Sequence, residues 1–158
     1  MGRTDDSLIA LRRIVRATEL FGRELRQSAG ITASQFRVLQ IIAENGFATA
    51  KTISTRMQVS QGTVTSVVDK LVRDGLVLRH KSEQDRRQIN IVLTDAGSKI
   101  LEDAPDPLQQ RFVRKFAAME DWEQAMVVAS LERVAAMLDA KDLDASPVLD
   151  TGEIYPLE

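Results

Sequence analysis

The 158-residue chain has no cysteine and a single histidine. It can form no disulfide and offers no thiol for peroxide sensing. The Cys and His ligands of ordinary zinc sites are also missing, so no metal is expected. No apolar run approaches the roughly 18–20 residues that a membrane span needs. The first residues lack the apolar stretch of a secretory signal, so the expected location is the cytoplasm. There is no internal repeat, no phosphate-cradling glycine loop and no nucleophile motif. Neither enzymatic activity nor a cofactor is expected.

Charge is scarce in sum and uneven in distribution. The formal net charge is −2. Residues 34–99 hold 10 Lys/Arg against 6 Asp/Glu, a balance of +4, and residues 1–33 hold 6 against 4, a balance of +2. Residues 100–158 hold 5 against 13, a balance of −8. A polyanion responds to the local field and not to the sum, so the middle of the chain is the candidate for binding one.

That middle has a recognisable layout. Thr32 or Ser34 can cap a helix carrying Phe36, Leu39, Ile41 and Ile42. Thr49 can cap a short helix ending at Met57, with Ile53 and Met57 inward and the small Ser54 where two helices approach. After Gln58-Val59, Ser60 can cap a third helix. Val64, Val67, Val68 and Leu71 recur at i, i+3, i+4 and i+7, one face of that helix. Two short helices joined by a turn of about 3–4 residues form a helix-turn-helix. The opposite face carries Ser60, Gln61, Thr63, Thr65 and Ser66 near its start and Lys70 and Arg73 near its end. A groove-reading helix contacts base edges with its first turns, where short hydrogen-bonding side chains suit bases and cations suit phosphates.

A wing follows. Gly75 reads as a helix stop. Leu76–Leu78 and Ile89–Leu93 read as strands of a hairpin, with Ile89, Ile91 and Leu93 facing the helices. The connection Arg79–Gln88 is charged and contains Asp85, Arg86 and Arg87. Arginines at such a tip can reach a narrow minor groove, where the negative potential is enhanced.

The run Ser60-Gln-Gly-Thr-Val-Thr65, the segments Asp69-Lys-Leu71 and Gly75-Leu-Val77, the pair Asp85 and Arg87, and Leu93-Thr-Asp-Ala-Gly97 resemble the MarR family of winged-helix regulators. The family's wing motif, Asp-x-Arg, falls on Asp85 and Arg87. The resemblance implies a mainly α fold with a small β-hairpin wing and N- and C-terminal dimerisation helices. It implies that Arg87 enters the minor groove and that Asp85 orients it through an ion pair. Many members have Arg where this chain has Ser66, which removes one expected contact. The expected function is a homodimeric regulator, in the main a repressor, that reads a palindromic operator in double-stranded DNA. The competing reading is a winged-helix protein-interaction module without DNA binding.

The flanks fit a dimer. Leu8, Leu11, Ile14, Val15, Thr18, Phe21 and Leu25 form one stripe, and Trp122, Met126, Ala129, Leu131, Val134 and Leu138 form another, which Asp121 can cap. The expected division is a helical dimerisation region over 1–33 and 95–140, a winged helix-turn-helix over 34–94, and a tail over 141–158 extended along the dimer. Ala104-Pro-Asp-Pro107 predicts a kink or break near Ala104. That break and the apolar tail have a looser similarity to the branch of the family controlling compatible-solute (ectoine-type) operons. The resemblance also implies a small aromatic or anionic effector between the dimer helices and the reading head. The candidate ligand-binding residues are Arg16, Phe21, Phe36 and Phe47. A direct response to ionic strength is the other route, since phosphate-dominated binding weakens steeply with salt.

Overall fold

The structure, a computed structural model, describes residues 2–104 and 108–143. Two compact units are present, divided at residues 105/106. The first contains α1 (Arg3–Ala29), α2 (Ala33–Asn45), α3 (Ala50–Met57), α4 (Gln61–Arg73), β1 (Val77–Lys81), β2 (Ile89–Leu93) and α5 (Asp95–Asp103). The second contains α6 (Leu108–Ala117) and α7 (Asp121–Met137). The fold is mainly α with one two-stranded antiparallel hairpin, as expected.

Local chemistry sets the helix boundaries. α1 stops at Gly30, whose left-handed backbone (φ 68°) no other residue adopts as cheaply. α2 opens on a reciprocal cap: the Gln35 N–H donates to Thr32 Oγ1 at 3.1 Å and the Thr32 N–H donates to Gln35 Oε1 at 2.9 Å. Thr49 caps α3 by accepting the Thr52 N–H at 3.1 Å. α3 ends on Gln58, also left-handed (φ 55°), where the chain reverses towards α4. Ser54 secures this turn. Its hydroxyl donates to the Val59 carbonyl at 2.6 Å, and its carbonyl accepts the Val59 N–H at 3.1 Å.

The buried side chains come from every element of the first unit except α5. Leu25 of α1, Val38, Leu39, Ile41 and Ile42 of α2, Ile53 of α3, Val64, Val68 and Leu71 of α4, and Val77 and Ile91 of the hairpin are all buried. Burying each such side chain contributes roughly 1.5–3 kcal/mol. The hairpin is fastened at its base. Ala48 and Ile91 exchange two backbone hydrogen bonds (3.0 and 2.8 Å). The Thr94 N–H donates to the Leu76 carbonyl at 3.1 Å, and Thr94 Oγ1 donates to the Gly75 carbonyl at 2.7 Å while accepting the Gly97 N–H at 3.1 Å.

Three expectations are corrected. β1 begins one residue later than expected and runs on through Arg79, His80 and Lys81, pairing Val77 with Leu93 and Lys81 with Ile89. The β-branched partner strand offers backbone groups along its whole length, and that pairing overrides the charged side chains. The loop is therefore Ser82–Gln88. Ile89 does not pack on the helices: it is exposed, while Ile91 is buried, because the hairpin projects past the helical body. Asp121 is not the cap of α7. Glu120 is, with its N–H donating to Glu123 Oε2 at 2.9 Å, and Asp121 becomes a first-turn acid that suits the helix dipole.

The helix breaks where Ala104-Pro105 predicts. α5 ends at Asp103, and Ala104 is extended (φ −69°, ψ 149°), the conformation that a following proline imposes. In the second unit the rings of Phe112 and Phe116 stack at 5.4 Å, and Gln124 Nε2 donates to the Phe116 carbonyl at 3.0 Å. α7 has no buried residue, and Trp122, Met126, Leu131 and Leu138 lie open. Leu8, Ile14, Val15 and Leu20 of α1 are likewise exposed. Most of the tail, residues 144–158, lies outside the described residues, as do Pro105–Pro107.

Candidate DNA-binding surface

α4 presents the polar face that its sequence encodes. The Ser60 hydroxyl accepts the Thr63 N–H at 3.1 Å and also lies 2.9 Å from Thr63 Oγ1. Gln61, Gly62, Thr65, Ser66, Asp69, Lys70 and Arg73 are all exposed, while Thr63 is half-buried. Thr65 Oγ1 donates to the Gln61 carbonyl at 2.9 Å. Its proton is engaged within the helix, which leaves the oxygen's lone pairs as acceptors. Ser66 has no side-chain partner among the described residues and can donate or accept. Lys70 and Arg73, in the last turns, supply positive charge near the end of the helix.

The wing tip is a structured loop. The Ser82 N–H donates to the Gln88 carbonyl and the Gln88 N–H to the Asp85 carbonyl, both at 2.9 Å. Asp85 Oδ1 accepts the backbone N–H of Arg87 at 3.0 Å. The side-chain ion pair implied by the family resemblance is thus replaced by a turn-closing contact, since a carboxylate two residues upstream reaches that N–H directly. Asp85 shapes the loop, and the guanidinium groups of Arg86 and Arg87 stand exposed without a partner among the described residues.

Two ion pairs escaped the sequence reading. Asp69 of α4 meets Arg79 of β1, Oδ1 to Nη2 at 2.5 Å. Glu44 of α2 meets Arg56 of α3 in a two-pronged contact. The Arg56 guanidinium holds the Glu44 carboxyl below the usual carboxylate range, and Glu44 in turn raises Arg56. Burial lowers Arg37, on the same helix as Glu44, and the charge of Arg56 adds to that effect. Neither pair has a helical or strand spacing. Only the Asp69–Arg79 separation of ten residues across Gly75 hints that the chain returns there.

The candidate ligand residues share no single environment. Phe21 and Phe36 are buried core residues, whereas Phe47 is 45% exposed between α2 and α3. Arg16 lies exposed on α1, 3.5 Å from Glu19. No ring contact joins the three phenylalanines among the described residues.

A capped helix-turn-helix followed by a basic hairpin defines a winged helix-turn-helix protein. Comparison with known proteins narrows the class. The MarR family matches residues 31–89. The uncharacterized HTH-type transcriptional regulator YsmB of Bacillus subtilis is 30% identical over 125 residues, covering 79% of this chain and 86% of the relative. The homoprotocatechuate degradative operon repressor of Escherichia coli is 24% identical, covering 89% and 95%. The structure of reduced AbfR bound to DNA has the same fold, with a TM-score of 0.55, 24% identity and coverage of 86% and 94%. The chain belongs to the MarR family of transcriptional regulators.

Proposed function

We propose that the protein is a homodimeric repressor that reads a palindromic operator, with α4 in the major groove and the wing arginines in the adjacent minor groove. One observation carries this reading. The exposed face of α4 and the unpartnered guanidinium groups of Arg86 and Arg87 belong to the same compact unit, which holds the positive part of the chain. Residues 34–94 act as the reading head. The exposed apolar side chains of α1 and α7 support a dimerisation role for helices in 1–33 and 95–140, and a two-fold dimer matches a palindrome. Repression is the reading supported by the Escherichia coli relative, and DNA binding by the AbfR complex. No described helix is long and apolar enough to cross a membrane. An effector acts here only by favouring one spacing of the two heads over another.

The test is affinity selection from fragmented genomic DNA, wild type beside Arg87→Ala. Wild type enriches a few palindromic sites. Arg87→Ala binds those sites more weakly by about 1–3 kcal/mol, the worth of a specific groove contact. Equal enrichment by both proteins removes the wing from the mechanism. Enrichment by neither at low salt favours the protein-interaction module.

A further inference from the structure

We infer that the Asp69–Arg79 ion pair is a positioning brace that fixes the angle of the wing against the recognition helix, so that both grooves are engaged at once. The inference rests on the DNA-reading assignment above and deepens it.

The wing is held at its base by the Ala48–Ile91 and Thr94–Leu76 backbone bonds. Past that base the pairs His80↔Asn90 and Lys81↔Ile89 carry the hairpin outward to the Ser82–Gln88 loop. Among the described residues, Asp69–Arg79 is the outermost polar contact between the hairpin and the helices. Arg79 stands opposite Ile91, the residue of β2 that is bonded to Ala48. The pair therefore sits at the pivot. At about 3.3 Å per residue, Arg87, four residues from Ile91, lies at most roughly 13 Å beyond it. A swing of roughly 10° at the pivot moves the tip by about 2 Å, a large fraction of a minor groove about 6 Å wide.

The sign of the charge makes the brace more than an ordinary surface pair. Asp69 is an anion on the face that meets a polyanion. By electrostatics alone its removal strengthens DNA binding and steepens the salt dependence, because Arg79 is released to a phosphate. A brace predicts the opposite. Without the pair the wing samples more angles, and the complex must order it at an entropic cost.

The experiment uses a duplex selected by the wild-type protein from random sequence. Affinity is measured by fluorescence anisotropy across a salt series for Asp69→Asn, Arg79→Gln, the double variant and Arg87→Ala. Asp69→Asn weakens binding about threefold to tenfold, in the range of ordinary side-chain couplings. The double variant is no weaker than Arg79→Gln alone. In the Arg87→Ala background Asp69→Asn costs less than it does in the wild-type background, since the wing then has one groove contact fewer to position. Binding of Asp69→Asn to an unrelated duplex is at or above the wild-type level, which a misfolded protein would not retain. Tighter binding by Asp69→Asn with a steeper salt slope overturns the brace and leaves Asp69 as a mask over Arg79. If instead Arg87→Ala itself costs nothing, the wing assignment fails, and the brace fails with it.

Discussion

Replacing Gly97 by alanine tests the join between the wing and α5. A Cβ built on Gly97 lies 2.2 Å from the Leu76 carbonyl oxygen and 3.2 Å from its carbon. A carbon approaches a carbonyl oxygen no closer than about 3.3 Å in ordinary contacts, so about 1 Å of separation must be found. Neither neighbour yields easily. The Leu76 carbonyl accepts the Thr94 N–H, and the Thr94 hydroxyl ties Gly75 to the Gly97 N–H. Moving α5 outward loses at least one of these bonds, each worth about 0.5–1.5 kcal/mol. Overpacking against a fixed backbone costs about 1–3 kcal/mol more. Alanine recovers about 1 kcal/mol through its better helix propensity. The net expectation is a loss of about 1–3 kcal/mol. For a chain of this size that lowers the midpoint by about 2–4 °C per kcal/mol. Thermal unfolding followed by circular dichroism reads it directly. Propensity alone predicts a small stabilisation, so an unchanged or higher midpoint refutes the claim that this glycine is required for close approach.

Gly62 makes the opposite case. A Cβ there meets only Ser60 Oγ, at 3.8 Å. Gly62→Ala therefore stabilises α4 by about 0.5–1 kcal/mol in thermal unfolding, while on the proposed reading DNA affinity falls because the methyl group stands on the face assigned to the duplex. Lys70→Ala weakens binding to all sequences alike and lowers the slope of log affinity against log salt by about 1, as a phosphate contact should. Glu44→Gln tests the α2–α3 ion pair. The Glu44 carboxyl is held below its ordinary range in the folded state, so its contribution is present at neutral pH and is lost as pH falls through its folded value. Both side chains are more than a third exposed, so the contribution is under about 1 kcal/mol. The gap between wild type and variant in denaturant titrations should close as pH drops below the carboxylate range, and a gap that persists in acid assigns the effect to packing.

Much of the reading head was legible because its signals are local. Thr32, Thr49 and Ser60 cap the helices that they precede, since a hydroxyl reaches the N–H three residues on whatever the rest of the chain does. Ala104 ends α5 for an equally local reason, the proline that follows. The inward face of α4 was also readable, because Val64, Val68 and Leu71 keep the helical period into the core. Legibility failed where a contact joins residues with no periodic relation. Arg79 reads as loop by composition, yet the five-residue partner strand draws it into β1 and so towards Asp69. Ile89 reads as packed by alternation, yet the strand has already left the body of the protein at that point.

The wing tip shows the same limit in its chemistry. The spacing of Asp85 and Arg87 matches the family's wing motif but does not say which atoms of Arg87 are held. The carboxylate takes the backbone N–H, which fixes the loop and leaves the guanidinium without an internal partner among the described residues. Entry of Arg87 into a groove then breaks no ion pair, and the cost of ordering the loop is met during folding. By contrast, Asp69 and Arg79 are already paired and should remain so in the complex. On the proposed reading one acid shapes the tip and the other sets its angle, and each acts on DNA through the arginine it holds.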